Sequence, residues 1–369
     1  MPATRILLAG LIFLYFLLPV AISEFVFGNT FYIYSSFQSE ANAYSLIYGL
    51  LFGFFILILF KASPSLAYEK LSIRLAKWRG ARFAYYAMVI YSIVLLFYGM
   101  KLRLLGSSRD DLLSGMDDFL LPGMSMLLLF ASVFAVSNAN RVQFYSLFVL
   151  FLAIDVTFNG KIFSFLALIL FFARIDYIRP SRRVIIQAFA FWFGFGLMLL
   201  FLSGLTRNFL AGDDLNVNAA GIAYLFGSEF LGVQASIGWG MEYFNHGQPF
   251  ALWNFGSILQ EYYITNVGHG LATSPGAFFQ SNFGIAGPFV ALFACLIGLV
   301  TFRASARWLG FVIYLIIAIN FQHFLRHGLD VFLVKILSQT IFAILVAVAI
   351  NPFGNQATLR QAQPLLKSR

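Results

Sequence analysis

The chain has 369 residues, of which 60% are apolar and only 11% charged, with a mean hydropathy of +0.84. Soluble domains carry about 25% charged residues, so this composition excludes a soluble enzyme or binding module and places the chain in a bilayer. The formal net charge of +9 would suit nucleic acid, but its distribution points to membrane topology instead.

In chain order, ten apolar stretches approach the ~20 residues that cross a bilayer as helix: 6–27, 44–60, 83–100, 119–136, 144–158, 162–173, 184–205, 285–302, 309–321 and 331–350. Arg5 precedes the first, as in a signal peptide. That stretch is as long as a full span, however, and the chain stays apolar beyond it, so it is read as an uncleaved first helix. The basic stretch 61–82 is expected as an amphipathic helix on the membrane surface. The fifth and sixth stretches, joined by Asn159, Gly160 and Lys161, are expected as a tight hairpin. Residues 166–172 are continuously apolar, without the alternation of a barrel strand. The expected fold is all-α: one polytopic membrane domain, 1–369, with about ten transmembrane helices and one large external loop, 205–283, containing short helices. Cys295 is the only cysteine, so no intramolecular disulfide forms.

Placing the N-terminus inside puts 17 of the 24 lysines and arginines on inner segments, with only Glu69 and Asp176 among the acids. This is the positive-inside asymmetry, with some attraction to anionic lipid, and it needs no nucleic acid. It places the long loop outside. Within that loop, 219–239 is apolar except for Glu229, and Gly221, Gly227, Gly232, Gly238 and Gly240 allow close packing. A re-entrant or interfacial helix keeps Arg303 and Arg307 inside, whereas a full crossing would turn them outward.

Chemistry is expected on the outer side, where the loop is rich in polar and aromatic residues. All four histidines fall there: His246, His269, His323 and His327. Histidine is the side chain most readily tuned to take a proton near neutral pH. Apart from His323 and His327, their spacings fit no common metal-ligand pattern, so no metal is expected. The outer basic residues are exceptions to the charge rule: Arg109, Lys161, Arg207, Arg326, and Lys335 about one turn into the last span. Charges at the membrane edge are costly and functional by default. Together these residues suit a lipid-linked diphosphate. Local pairing is the competing reading: Arg109 with Asp110 or Asp111, Arg207 with Asp213, Arg326 with Asp330. Trp239, Tyr243, Trp253, Tyr262 and Tyr263 stand near Glu242, Asn245, Asn254, Gln260 and Glu261. Such rings stack on the C–H face of a pyranose while carboxylates and amides take its hydroxyls; the same rings also serve as interface anchors. No phosphate-binding loop, dinucleotide turn, HExxH or Gly-x-Ser-x-Gly motif is present.

One stretch carries a family resemblance: Gly268-His269-Gly270-Leu271, then Ser274-Pro275-Gly276, then Asn282-Phe283-Gly284-Ile285-Ala286-Gly287 running into a span. With the many spans and the large loop in the second half, it resembles Wzy-type O-antigen polymerases, which are related to O-antigen ligases. Ligases usually carry Asn after the histidine and a shorter gap to the glycines, so Gly270 and the longer gap favour the polymerase. The paired Arg-x10-Gly motifs of some polymerases are not met. The resemblance implies a location in the bacterial inner membrane, with cytoplasmic termini and a periplasmic loop. It implies transfer of a glycan chain from undecaprenyl diphosphate to a sugar hydroxyl of another lipid-linked repeat unit, without metal, nucleotide or other cofactor. The implied partners are that lipid-linked oligosaccharide, membrane lipid and a chain-length regulator protein. His269 is then the expected base, with Glu229, Glu242 and Glu261 as rivals. Arg207, Arg326 and Lys161, together with Arg109, His323 and His327, are the expected substrate-binding residues. The alternatives are a flippase or transporter of lipid-linked glycans, or a ligase. A membrane O-acyltransferase would want a conspicuous histidine or arginine near its start, and no histidine precedes His246.

The topology is tested with Cys295 replaced by serine. A cysteine in place of Gln248 should react with a membrane-impermeant maleimide in intact spheroplasts, and one in place of Lys77 only after permeabilisation. The reverse labelling contradicts the orientation.

Overall fold

The computed structural model describes residues 2–28, 33–60, 75, 77–105, 123–158, 160, 162–178, 181, 183–192, 194, 219–267 and 272–350. The helices are α1 (Pro2–Ile12), a π-helical turn (Phe13–Leu17), α2 (Leu18–Phe25), α3 (Gln38–Leu59), α4 (Arg79–Leu104), α5 (Met124–Ser137), α6 (Arg141–Phe158) and α7 (Ile162–Ile178). There follow α8 (Arg183–Trp192), α9 (Ala219–Asn245), α10 (Phe255–Val267), α11 (Pro275–Phe283), α12 (Gly287–Leu309), α13 (Phe311–Arg326) and α14 (Leu329–Ile350). No strand occurs among the described residues. This is an all-α membrane protein.

Six helices are long and apolar enough to cross a membrane: Ala3–Phe25, Gln38–Leu59, Arg79–Leu104, Arg141–Phe158, Pro275–Ala306 and Leu329–Ile350. Met124–Ser137, Arg183–Trp192 and Phe311–Arg326 are apolar but shorter. Against the expected ten, six full-length spans occur among the described residues. Length is the reason: the 14 residues of α5 reach about 21 Å at ~1.5 Å each, short of the ~30 Å hydrocarbon core. Lipid-facing stripes are plain on the long helices. Phe83, Ile90 and Phe97, seven residues apart on α4, are all exposed, as suits a surface whose solvent is acyl chain.

Of the segment expected as a large loop with short helices, 205–218 and 268–271 lie outside the described residues, and the described part packs on the bundle as helix. It forms α9, α10 and α11, and residues 230–240 are buried. Glycines permit this. A Cβ on Gly240 would lie 2.9 Å from the Ala277 carbonyl oxygen, and one on Gly238 would lie 2.5 Å from Ser35 Oγ. Only a bare backbone lets α9 approach α11 and the start of α3 so closely.

Polar groups inside the bundle serve backbone that lacks partners. Asp155 accepts from Phe163 N at 3.3 Å and Ser164 N at 2.5 Å, capping α7 and fastening the α6–α7 hairpin. Asp176 does the same for the start of α1, accepting from Ala3 N at 2.8 Å and Thr4 N at 2.9 Å. Arg174 donates to the carbonyls of Ala135 and Ala139 while lying 4.6 Å over the Phe144 ring. These charges are structural.

Asp155→Ala should therefore cost about 1–2 kcal/mol, the usual loss of a helix cap. A lower unfolding midpoint in detergent, with activity per folded molecule unchanged, is the expected result. A variant of wild-type stability that has lost activity would place Asp155 in the chemistry.

Candidate functional site

The site is built around a turn. α13 ends at Arg326 and α14 begins at Leu329, and Gly328 links them at φ +95°, a conformation that side chains rarely adopt. The Thr273 amide donates to the Arg326 carbonyl at 3.0 Å, and Thr273 pairs with His327 as an isolated parallel bridge. Ser274 then caps α11: its Oγ accepts from Ala277 N at 3.0 Å, with Pro275 in the first helical turn. Ser274 Oγ also lies 3.0 Å from Ser236 Oγ, in the buried middle of α9. The chain thus restarts as helix inside the bundle, beside the turn. Phe324 packs edge-on against Phe52 at 5.1 Å, well past the middle of α3 from its Ser36 end. Of the two histidines expected in an outer loop, His323 is half-buried on α13 and His327 is exposed at the turn.

Four cationic or potentially cationic side chains gather at this turn: His323, Arg326, His327 and Lys335. Lys335 Nζ lies 2.8 Å from His323 Nε2, and the His323 and His327 rings are 5.0 Å apart. An ammonium group only donates, so Nε2 accepts and the His323 proton sits on Nδ1. That Nδ1 is buried with no hydrogen-bond partner among the described residues, and so is Asp330 Oδ1. Lys335 forms no ion pair among the described residues. A half-buried cation that meets only an imidazole is expensive to keep beside lipid, and a buried donor without an acceptor costs about 1–3 kcal/mol.

A second group of residues forms a rim at the end of α9. Trp239, Tyr243, Tyr262 and Tyr263 pack ring on ring, with centroids 5.4 to 6.2 Å apart. Trp239 Nε1 donates to the Ile33 carbonyl at 2.8 Å, and Tyr243 OH to the Pro249 carbonyl at 3.0 Å. Trp239, Tyr243 and Tyr263 are buried, so they form the base of the rim, while half-buried Tyr262 and exposed His246 supply its accessible surface. Tyr262 OH is 2.7 Å from His246 Nδ1. Burial, and then the nearby Glu242 carboxylate, hold the Tyr262 phenol above its ordinary pKa, so it stays protonated at neutral pH. Glu242 accepts from Ser36 Oγ at 3.3 Å.

α10 joins rim to floor. The backbone of Gly256 lies against the turn, where a Cβ would sit 3.1 Å from the His327 carbonyl oxygen. Tyr262 is six residues on, about 9 Å along the same helix. The arrangement therefore places an aromatic, carboxylate-bearing rim one short helix away from a cationic floor.

Of the expected site residues, the fold brings together Arg326, His323 and His327 at the floor and Trp239, Tyr243, Tyr262 and Glu242 at the rim. Trp253, 61% exposed, makes no ring contact with the rim among the described residues, and the Glu261 side chain is exposed on α10. His269, Arg207, Lys161 and Arg109 lie outside the described residues, as does the side chain of Glu229. Lys335, grouped in the sequence with the outer cations that suit a diphosphate, and His246, one of the four outer histidines, join these groups as well. Lys335 was visible as a charge inside a span, the signal that marks such residues. His246 has no local signal tying it to Tyr262, 16 residues away. No group of three or more residues suited to hold a metal ion occurs among the described residues. The chain matches no protein-family model, no curated protein and no solved structure.

Because the Lys335–His323 pair is uncompensated, replacing it as a unit should stabilise the fold. The double variant His323→Leu/Lys335→Met should unfold at a higher temperature than wild type in detergent. A fall in the midpoint would make the pair structural.

Proposed function

We propose that the chain is a polymerase of lipid-linked oligosaccharide repeat units. In this reading it moves a glycan chain from undecaprenyl diphosphate to a sugar hydroxyl of a second lipid-linked unit, on the outer side of the bacterial inner membrane. The supporting observation is the half-buried floor, where Lys335, Arg326 and two histidines gather and the His323 Nδ1–H has no acceptor among the described residues. Such a floor calls for a polyanion, and charge-assisted contacts to a diphosphate satisfy it. The rim about one short helix away offers ring surface and a carboxylate for sugar, as the polymerase resemblance of the 268–287 stretch leads one to expect.

In the reaction, the acceptor hydroxyl oxygen attacks the anomeric carbon of the donor sugar. The bond from that carbon to the diphosphate oxygen breaks, and undecaprenyl diphosphate leaves with the electron pair. Lys335, Arg326 and the His323 Nδ1–H take up the charge that develops on the departing group, which is where fixed donors lower a barrier most. The acceptor proton passes to a base. His269, four residues before Thr273 in sequence, is the assigned base, and Glu242 on the rim is its rival. Arg207, Lys161 and Arg109 remain assigned to the diphosphate, and a chain-length regulator protein is the proposed partner.

The test is glycan length in cells that depend on this chain. Lys335→Met and Arg326→Ala should each slow polymerisation about tenfold to a hundredfold, the loss of one charge-assisted contact of roughly 1.5–3 kcal/mol. Protein level should be preserved, and Arg326→Lys should rescue in part, since it keeps the charge but loses the planar fork. Repeat units trapped on the inner side in the deletion strain would favour a flippase, and single repeats absent from the final core would favour a ligase. Normal chain length in both variants overturns the assignment of the floor.

A further inference from the structure

A second polar centre lies between α2, α3 and α9, and its hydrogen bonds run in one direction. The Glu24 carboxylate accepts from the Asn42 amide at 3.3 Å, which turns the Asn42 carbonyl oxygen inward. That oxygen accepts from Gln38 Nε2 at 3.2 Å and from Gln234 Nε2. Gln38 Nε2 also reaches Ser23 Oγ at 3.4 Å. Both glutamines therefore direct their N–H groups at Asn42. Their carbonyl oxygens, Gln38 Oε1 and Gln234 Oε1, are buried with no partner among the described residues. The two side chains are 2% and 0% exposed. Turning either glutamine over sets its oxygen against Asn42 Oδ1, acceptor facing acceptor, and turning Asn42 with them sets its oxygen against the Glu24 carboxylate. No lysine, arginine or histidine takes part in these bonds.

We infer that a monovalent cation, Na⁺ being the probe of choice, binds at the Gln38 and Gln234 carbonyl oxygens with Ser23 Oγ beside them. An orphaned buried acceptor is costly, and hard cations are held by carbonyl and hydroxyl oxygens. Glu24 balances a single positive charge, whereas Ca²⁺ or Mg²⁺ sites recruit more carboxylates. Asn42 transmits the direction: with its N–H groups drawn to Glu24, both glutamine oxygens are left for the ion. Bound there, the ion fastens α9 to α2 and α3 about two turns from Glu242 on the rim. This site stands on its own network and is independent of the polymerase reading. Its competing occupant is a water molecule that donates both hydrogens, and water is indifferent to the salt cation.

The experiment follows the unfolding midpoint of the full chain in detergent, in NaCl against N-methyl-D-glucamine chloride at equal ionic strength. Na⁺ at ~10 times its dissociation constant should raise the midpoint by roughly 2–4 °C, with saturation. Glu24→Gln and Gln234→Leu should lose that increment. Gln280→Leu, which removes an amide bonded to Tyr48 at 3.1 Å elsewhere in the bundle, should keep it. If Gln234→Leu does not fold, the wild type and Glu24→Gln decide the matter. Equal wild-type midpoints in the two salts mean that water fills the site and overturn the proposal. So does a full Na⁺ increment in Glu24→Gln.

Discussion

The hydrogen bond from the Thr273 amide to the Arg326 carbonyl is the constraint on which the site depends. Inside a bilayer no water is at hand to satisfy open backbone, so non-helical chain survives there only where protein supplies the partners. Residues 272–274 meet that demand by pairing with the α13–α14 turn and by the Ser236–Ser274 contact. The same bond fixes two things at once. It holds the start of α11 deep within the bundle, and it holds the turn that carries Arg326 and His327 against α10. Glycine makes both possible: Gly328 closes the turn, and Gly256 lets α10 lie on the His327 carbonyl.

The polar groups of the bundle fall into two kinds. Asp155, Asp176 and Arg174 are spoken for by backbone, and their removal should cost stability without touching chemistry. At the floor and in the Gln38–Asn42–Gln234 network the bonding is incomplete, and the surplus has opposite sign. Lys335 and His323 leave a donor unmet; the two glutamines leave acceptors unmet. The first arrangement suits an anion and the second a cation. A low-dielectric interior amplifies both demands, which is why an incomplete network there is a stronger pointer to a ligand than the same residues would be on a wet surface.

Much of this was legible in the sequence. Apolar length alone marked the long helices, whereas the helix start capped by Ser274, with Pro275 in its first turn, emerged only in the fold. The α6–α7 hairpin was visible in the short stretches around Asn159, Gly160 and Lys161. What the sequence hid was depth. The glycines of 219–239 signalled close packing, but hydropathy cannot say which elements meet there: Gly240 lies against the Ala277 backbone and Gly238 against Ser35. Pairings across the fold were equally hidden. Lys335 and His323 lie on different helices, and only packing brings their nitrogens to 2.8 Å. Of the five loop aromatics singled out in the sequence, four pack together and Trp253 stands apart, and their roles divided on folding. Trp239 and Tyr243 became base, and Tyr262 with His246 became surface.

The central claim, that the floor binds a polyprenyl diphosphate through Lys335, which forms no ion pair among the described residues, is tested most directly by equilibrium binding. Purified chain in detergent is titrated with farnesyl diphosphate and, in parallel, with farnesol, which keeps the prenyl tail and lacks the anion. The account predicts that the diphosphate binds at least about tenfold more tightly than the alcohol, and that Lys335→Met abolishes the difference while leaving farnesol binding unchanged. Equal affinities for the two ligands, or an undiminished preference for the diphosphate in Lys335→Met, would contradict it.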